Sequence, residues 1–103
     1  MDERELVYAP RAERDLLGIP ARDALRVLKD LELLRTPPWP PSKVKKLRGT
    51  DFWEEKTGDY RTIFWPQRSK VVILRVLNRR DLEQTLVRID MRALVTWLRG
   101  LED

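Results

Sequence analysis

The chain has neither cysteine nor histidine. The first absence rules out disulfide staples, thiolate nucleophiles and sulfur ligands for a metal. The second removes the commonest general acid–base group and the commonest zinc ligand. No metal and no cofactor is expected. Any proton that moves must travel through lysine, arginine, tyrosine, aspartate, glutamate or the substrate itself. Long apolar runs are also lacking: no stretch approaches the ~18 residues of a membrane span. The opening MDERELVY is charged within its first five residues and has no apolar signal core. The expectation is a soluble, cytoplasmic protein with no membrane partner.

The 103 residues suit one domain, 1–103, large enough to bury a modest core. Lysine and arginine number 21 against 17 aspartates and glutamates, a net charge of +4. So mild an excess says little by its total, and the placement of the charges has to be read instead.

ELVYA, residues 5–9, reads as a short strand. Pro10 suits a first helical turn, and RAERDLLG runs to a stop at Gly18. Pro20 restarts a helix, in which Ala24, Val27, Leu28, Leu31 and Leu34 recur at helical spacing to about Arg35. Two helices joined so closely fold back as a hairpin whose apolar stripe needs a covering layer. TPPWPPS, 36–42, can be neither helix nor inner strand, and it reads as a stiff connector with Trp39 tacked onto the core.

DFWEEKT, 51–57, and YRTIFW, 60–65, read as strands joined at Gly58-Asp59, a type II′ hairpin signal. KVVILRVLN, 70–78, is aliphatic enough to be a central strand buried on both faces. From Arg80 the chain is helical, as one helix or as two with Asp90 capping the second, and residues 80–103 form a C-terminal helical extension. The order β-α-α-β-β-β-α predicts an α+β fold. Its parts are a small, mostly antiparallel sheet, an N-terminal helical hairpin and a C-terminal helix.

A two-residue loop at Gly58-Asp59 sets Lys56 opposite Arg61. If PQRS, 66–69, closes the next hairpin, Arg61 falls opposite Leu74 or Arg75. In the Arg75 register, Lys56, Arg61 and Arg75 form a row of cations, with Arg79 just past its end. Like charges directly opposite one another destabilise a sheet, so such a row calls for an anion. One answer is internal neutralisation by Glu54 and its acidic neighbours. The other is a phosphate, which arginine forks match in geometry. KVKKLR, 43–48, places four further cations beside the row. It reads either as a lysine-blunted edge strand or as a surface that tracks a nucleic-acid backbone.

Lys46-Leu47-Arg48-Gly49, Gly58-Asp59-Tyr60-Arg61, the apolar strand 71–77 and Asn78-Arg79 together resemble the RelE/ParE superfamily of bacterial toxins. Tyr8-Ala9-Pro10, Ala12, Asp15 and Leu16 resemble that family's start, and the likeness spans about residues 5–85. It implies the toxin of a type II toxin–antitoxin system with a RelE-like fold. RelE-like members are ribosome-dependent endoribonucleases that inhibit translation. They cut mRNA without a metal, by attack of a ribose 2′-OH on the adjacent phosphate. On this likeness Arg61 matches the arginine on the scissile phosphate and Arg79 the second arginine. Lys56 falls at one of two basic positions in the preceding strand, one of them a candidate general base. Lys43, Lys45, Lys46 and Arg48, with Arg75 beside them, are the expected RNA-binding residues.

Two departures stand out. Glu54 fills the other basic position, as a base or as a salt-bridge partner of Lys56. The tyrosine found about six residues after the second arginine is missing, with Thr85 near that point. The alternatives are a ParE-like inhibitor of DNA gyrase, or a catalytically impaired antitoxin-binding module. Each implies a cognate antitoxin over the sheet and its basic face. The nuclease reading adds the ribosome and mRNA, and the toxin–antitoxin complex is expected to bind operator DNA through the antitoxin.

Overall fold

The structure is a computed structural model and describes residues 3–101. Strand β1 (Glu5–Tyr8) leads into helix α1 (Pro10–Leu17), which opens on a proline at its first position. Gly18 ends α1, its N–H reaching the carbonyls of Arg14 and Asp15. Helix α2 (Ala21–Leu31) then runs into a 3-10 turn, Glu32–Arg35, so the amphipathic segment tightens before the proline-rich connector. Strands β2 (Val44–Lys46), β3 (Trp53–Thr57), β4 (Tyr60–Pro66) and β5 (Lys70–Asn78) follow. The sequence order lacked β2, which is only three residues long. A second 3-10 turn, Arg79–Asp81, leads to helices α3 (Leu82–Leu86) and α4 (Met91–Leu101). The C-terminal helical segment is therefore two helices. The Asp90 carboxylate accepts the N–H groups of Arg92 and Ala93 and so caps the second.

The sheet order is β1-β5-β4-β3-β2. β1 lies parallel to β5 and every other pair is antiparallel. As its composition predicts, β5 is interior to the sheet and its residues Val71 to Leu74 are buried. One face packs on the helical hairpin through Val27, Leu31, Leu34, Phe64 and Ile73. The other packs on α3 and α4 through Ile63, Val72, Leu74 and Leu77, against Leu82, Leu86, Leu94 and Trp97. Each fully buried aliphatic or aromatic side chain in these layers contributes about 1.5–3 kcal/mol. Trp39 closes the first layer edge-on to Trp53 and Phe64, at centroid distances of 5.2 and 5.3 Å, and its indole N–H donates to the Leu34 carbonyl.

The predicted Lys56–Arg61 pairing is present, and Gly58 has φ 56° while no non-glycine among the described residues has a positive φ, as a type II′ turn requires. The next hairpin differs from expectation. Gln67 N–H bonds to the Lys70 carbonyl, so only Arg68 and Ser69 form the loop. A bulge between Ile63 and Phe64 then shifts the register once more. Arg61 therefore lies opposite Leu77, and neither Leu74 nor Arg75 faces it. Arg75 sits opposite Ile63 and turns onto α1, where Nε and Nη2 donate to the Asp15 carboxylate at 2.7 and 3.1 Å. The same carboxylate accepts the Val76 N–H at 2.9 Å.

A second polar knot ties α2 to the sheet. Lys43 Nζ contacts Asp30 at 2.7 Å and Glu55 at 3.6 Å. The Thr57 hydroxyl, with one proton to give, stands 2.9 Å from Glu55 Oε1 and 3.1 Å from Asp30 Oδ2. Glu55 is fully buried, and burial pushes its carboxyl above the ordinary value. Burial acts on Asp30 in the same sense, but hydrogen bonds from Lys43 and Thr57 outweigh it and hold that carboxyl below its ordinary value.

Two outcomes follow. Asp15→Ala strands a half-buried guanidinium and a backbone N–H, and is expected to cost about 3 kcal/mol in denaturant unfolding. For Glu55, the folded value lies above the ordinary 4.5. Its contribution to stability is therefore complete below that pH and is lost as pH rises through the folded value. The Asp30 window lies on the other side, on acidification below 3.8. The melting temperature of Glu55→Gln relative to the parent is expected to rise from pH 4.5 to about pH 7. A constant difference would mean that Glu55 does not titrate there.

Candidate nucleic-acid interface

At the β2 edge, the sheet face shared with α3 is not fully covered. The uncovered part forms an open concavity of about 690 Å³. Alternation along the strands fills it with charge. β3 contributes Glu54 and Lys56, which share a face, and β4 contributes Arg61 opposite Lys56. Lys45 comes from β2 and Arg48 from the loop after it. Arg79 and Arg80 enter from the 3-10 turn, and Leu82, Glu83 and Leu86 of α3 form the far wall. Six cations thus surround two carboxylates, and an open site lined in this way attracts polyanions.

Arg61 is fixed by the turn beneath it. Its Nη1 donates to the carbonyls of Gly58 and Tyr60 at 2.9 and 3.0 Å, leaving the rest of the guanidinium for a ligand. Arg79 is held at the same turn, since its N–H donates to the Asp59 carbonyl at 2.9 Å. Its side chain lies 3.8 Å from the Asp59 carboxylate, and both groups are largely exposed. Such a contact contributes little and yields easily to a phosphate. Glu54 is only 2% exposed. Its Oε1 lies 3.9 Å from Lys45 Nζ, and Oε2 has no hydrogen-bond partner. The cation nearest this carboxylate is therefore on β2, where the sequence suggested Lys56.

Arg61, Arg79, Lys56 and Glu54 come together in one site, and Lys45 and Arg48 join them. Three other sequence candidates do not. Lys43 is turned onto α2 by Asp30 and Glu55. Lys46, on the opposite side of β2 from Lys45, donates to the Thr50 carbonyl at 2.7 Å. Arg75 is bound to Asp15. Arg80 and Glu83 were missed, because the first turn after β5 fixes their direction and no periodicity reports it. Thr85 lies on the other side of α3 and donates to the Asp81 carbonyl, so no hydroxyl stands in for the missing tyrosine at that position. The two tyrosines, Tyr8 and Tyr60, pack on the hairpin side of the sheet.

Residues 6–83 match the family described as ParE toxin of type II toxin–antitoxin system, parDE. No curated protein sequence matches the chain. Among solved structures, the chain is similar to the RelBE2 toxin–antitoxin complex of Mycobacterium tuberculosis, with 26% identity and a TM-score of 0.61 over 74% of this chain and 98% of that one. It is similar also to the archaeal RelE–RelB complex of Pyrococcus horikoshii, with 27% identity and a TM-score of 0.63 over 77% and 97%. A mutant of E. coli RelE in the free state shares the fold, with 20% identity and a TM-score of 0.62 over 74% and 83%. Helix α4 lies beyond the last residue of the family match.

The geometry separates two neighbouring cations. Binding of a labelled single-stranded oligoribonucleotide, followed by anisotropy against salt, is expected to lose about one unit of salt slope in Arg48→Ala. Lys43→Ala is expected to leave that slope unchanged. An equal change in both variants would mean that the concavity does not define the binding face.

Proposed function

The chain belongs to the ParE toxin family of type II toxin–antitoxin systems, within the RelE/ParE superfamily, and from that premise we propose that it is a ribosome-dependent mRNA endoribonuclease. The observation that carries this reading is the convergence of Arg61, Arg79, Lys56 and Glu54 in one open, cationic concavity. In this reading the scissile phosphate lies between Arg61 and Arg79. The neighbouring 2′-hydroxyl attacks phosphorus, and the Glu54 carboxylate takes its proton. The extra negative charge on the non-bridging oxygens is met by two guanidiniums already in position, which is where preorganised cations lower a barrier. Lys56 gives a proton to the departing 5′-oxygen. A 2′,3′-cyclic phosphate and a 5′-hydroxyl result. Lys45 and Arg48 hold flanking backbone.

A buried carboxylate beside a phosphate is a poor choice on charge alone. Its Oε2 is unpartnered but closed off in the free chain, so in this reading bound RNA uncovers it, and the free acceptor then serves as the general base. The partners of this activity are the ribosome and mRNA in the cytoplasm, and a cognate antitoxin that masks the toxin and carries the pair to operator DNA. Two of the similar structures, those from Mycobacterium tuberculosis and Pyrococcus horikoshii, are toxin–antitoxin complexes. A second reading, inhibition of DNA gyrase, is favoured by the parDE description of the matching family and by the lack of a tyrosine in the concavity.

In a reconstituted translation system, primer extension is expected to show cuts within ribosome-bound mRNA. Arg61→Ala is expected to slow them about 100-fold or more while melting as the parent does. A folded parent that cuts nothing but blocks supercoiling by purified gyrase would replace this reading with the second.

A further inference from the structure

The turn between β3 and β4 is gripped from behind by a single helix. Asp23, Arg26 and Asp30 of α2 recur at i, i+3 and i+7, so they share one stripe. The Tyr60 hydroxyl donates to Asp23 Oδ2 at 2.7 Å. The Thr57 hydroxyl stands 3.1 Å from Asp30 Oδ2. Thr57 and Tyr60 are the pair that closes the Gly58–Asp59 loop. The Arg26 guanidinium lies 3.2 Å from where a Cβ on Gly58 would stand. Both legs of the loop are thus bound to α2, on the face of the sheet away from the concavity.

The same turn is the reference point for both arginines. Three consecutive carbonyls set them. Those of Gly58 and Tyr60 accept from Arg61 Nη1, and that of Asp59 accepts the Arg79 N–H. Among the described residues the Arg61 guanidinium has no other hydrogen-bond partner. Its aim therefore follows the tilt of those carbonyls. Asp59, at the tip of the loop, is largely exposed, so packing does little to hold the turn. Asp30 and Thr57 already serve the polar knot around Glu55. The Asp23 carboxylate does not: among the described residues its one hydrogen-bond partner is Tyr60. That bond pushes the phenol above its ordinary value, so the hydroxyl keeps its proton at neutral pH.

We propose that Asp23, acting through Tyr60, is a positioning residue for Arg61, and that it sets the aim of that guanidinium from the opposite face of the sheet. The inference rests on the reading that Arg61 and Arg79 hold the scissile phosphate. Asp23 stands outside the concavity. It fixes the phenol, the phenol fixes one leg of the turn, and the turn carbonyls aim the guanidinium. Transition-state charge is met best by cations already in place. A displacement of about 1 Å at a reacting group costs on the order of 100-fold in rate. With Arg26 and Asp30 still on the turn, loss of the Asp23–Tyr60 bond moves Arg61 by less than that. The expected cost is about tenfold in the cutting step. The charges lining the concavity are unchanged, so RNA binding is spared.

The test is single-turnover cutting of ribosome-bound mRNA by the full chain, with anisotropy of a labelled oligoribonucleotide measured beside it. Tyr60→Phe and Asp23→Ala are each expected to slow cutting about tenfold, with binding held within about twofold of the parent. Asp23→Asn keeps an acceptor for the phenol and is expected to cut within about twofold of the parent. In an Arg61→Ala background, Tyr60→Phe is expected to add at most about threefold, because most of its effect runs through that guanidinium. The full loss in both backgrounds would overturn the assignment, since a merely structural contact acts independently of Arg61. Amide exchange gives a readout that needs no catalysis. In Tyr60→Phe the Arg79 N–H is expected to exchange at least about fivefold faster, while the Val76 N–H, held by Asp15, keeps the parent rate. An unchanged Arg79 rate would overturn the link even if cutting slowed. If the folded parent cuts nothing, the nuclease reading falls by itself, and the exchange rates decide whether Asp23 holds the turn.

Discussion

The Asp15 carboxylate is the point on which the two ends of the domain are set. It takes two hydrogen bonds from Arg75 and one from the Val76 N–H. Helix α1 is thereby fixed on the central strand just past the bulge in the β4–β5 ladder. Strand β1 ends at Tyr8, paired with Ile73, and beyond that end the Val76 N–H takes its partner from a side chain of another element. The bulge also moves the end of β5 along β4, so that Tyr60 faces Asn78 and the next residue, Arg79, arrives at the Gly58–Asp59 turn beside Arg61. The interaction that seats the helical hairpin thus sits on the same stretch of β5 as the shift that brings the two arginines together on the far side of the sheet.

Much of this was legible in the sequence. The hairpin, the connector, the Gly58 turn and the central strand announce themselves through proline and glycine placement and through periodicity, which are local signals. The resemblance in GDYR and in Asn78-Arg79 added the outline of the site. The β4–β5 register was not legible, because it depends on a bulge and on which two residues of PQRS form the loop. One consequence was the row of cations built on Arg75. That arginine has a partner sixty positions earlier in the chain, a distance no short-range pattern spans. Lys43 went wrong for a related reason. It stands one residue before a strand whose alternation would have placed it beside Lys45, and Asp30 holds it on the hairpin side. The run KVKKLR is a single motif on paper and three environments in space.

The buried acids divide in the same way. Glu54 and Glu55 are neighbours in sequence and both are hidden from solvent. Glu55 lies among Thr57, Asp30 and Lys43, where its oxygens are satisfied and its work is to join α2, β2 and β3. Glu54 faces the cationic concavity with one oxygen unengaged. The pleat of one strand therefore sends two identical residues to a structural knot and to a site. A carboxylate that is buried, among cations and short of a partner is costly to keep, which sets Glu54 apart from the surface acids of the chain.

The Gly58 turn is enclosed from both faces of the sheet. Arg61 grips its carbonyl on one side, and on the other the Arg26 guanidinium of α2 lies where a Cβ would come within 3.2 Å of it. Tyr60 beside it is bonded to Asp23, also on α2, at 2.7 Å. With a positive φ, and with the Arg26 head group needing to give way before any side chain, this position favours glycine. Sequence drift at the cationic site is thereby coupled to a helix that does not line it. A substitution at the turn meets Arg26 as well as the backbone, so divergence of the site is constrained partly from the opposite side of the sheet.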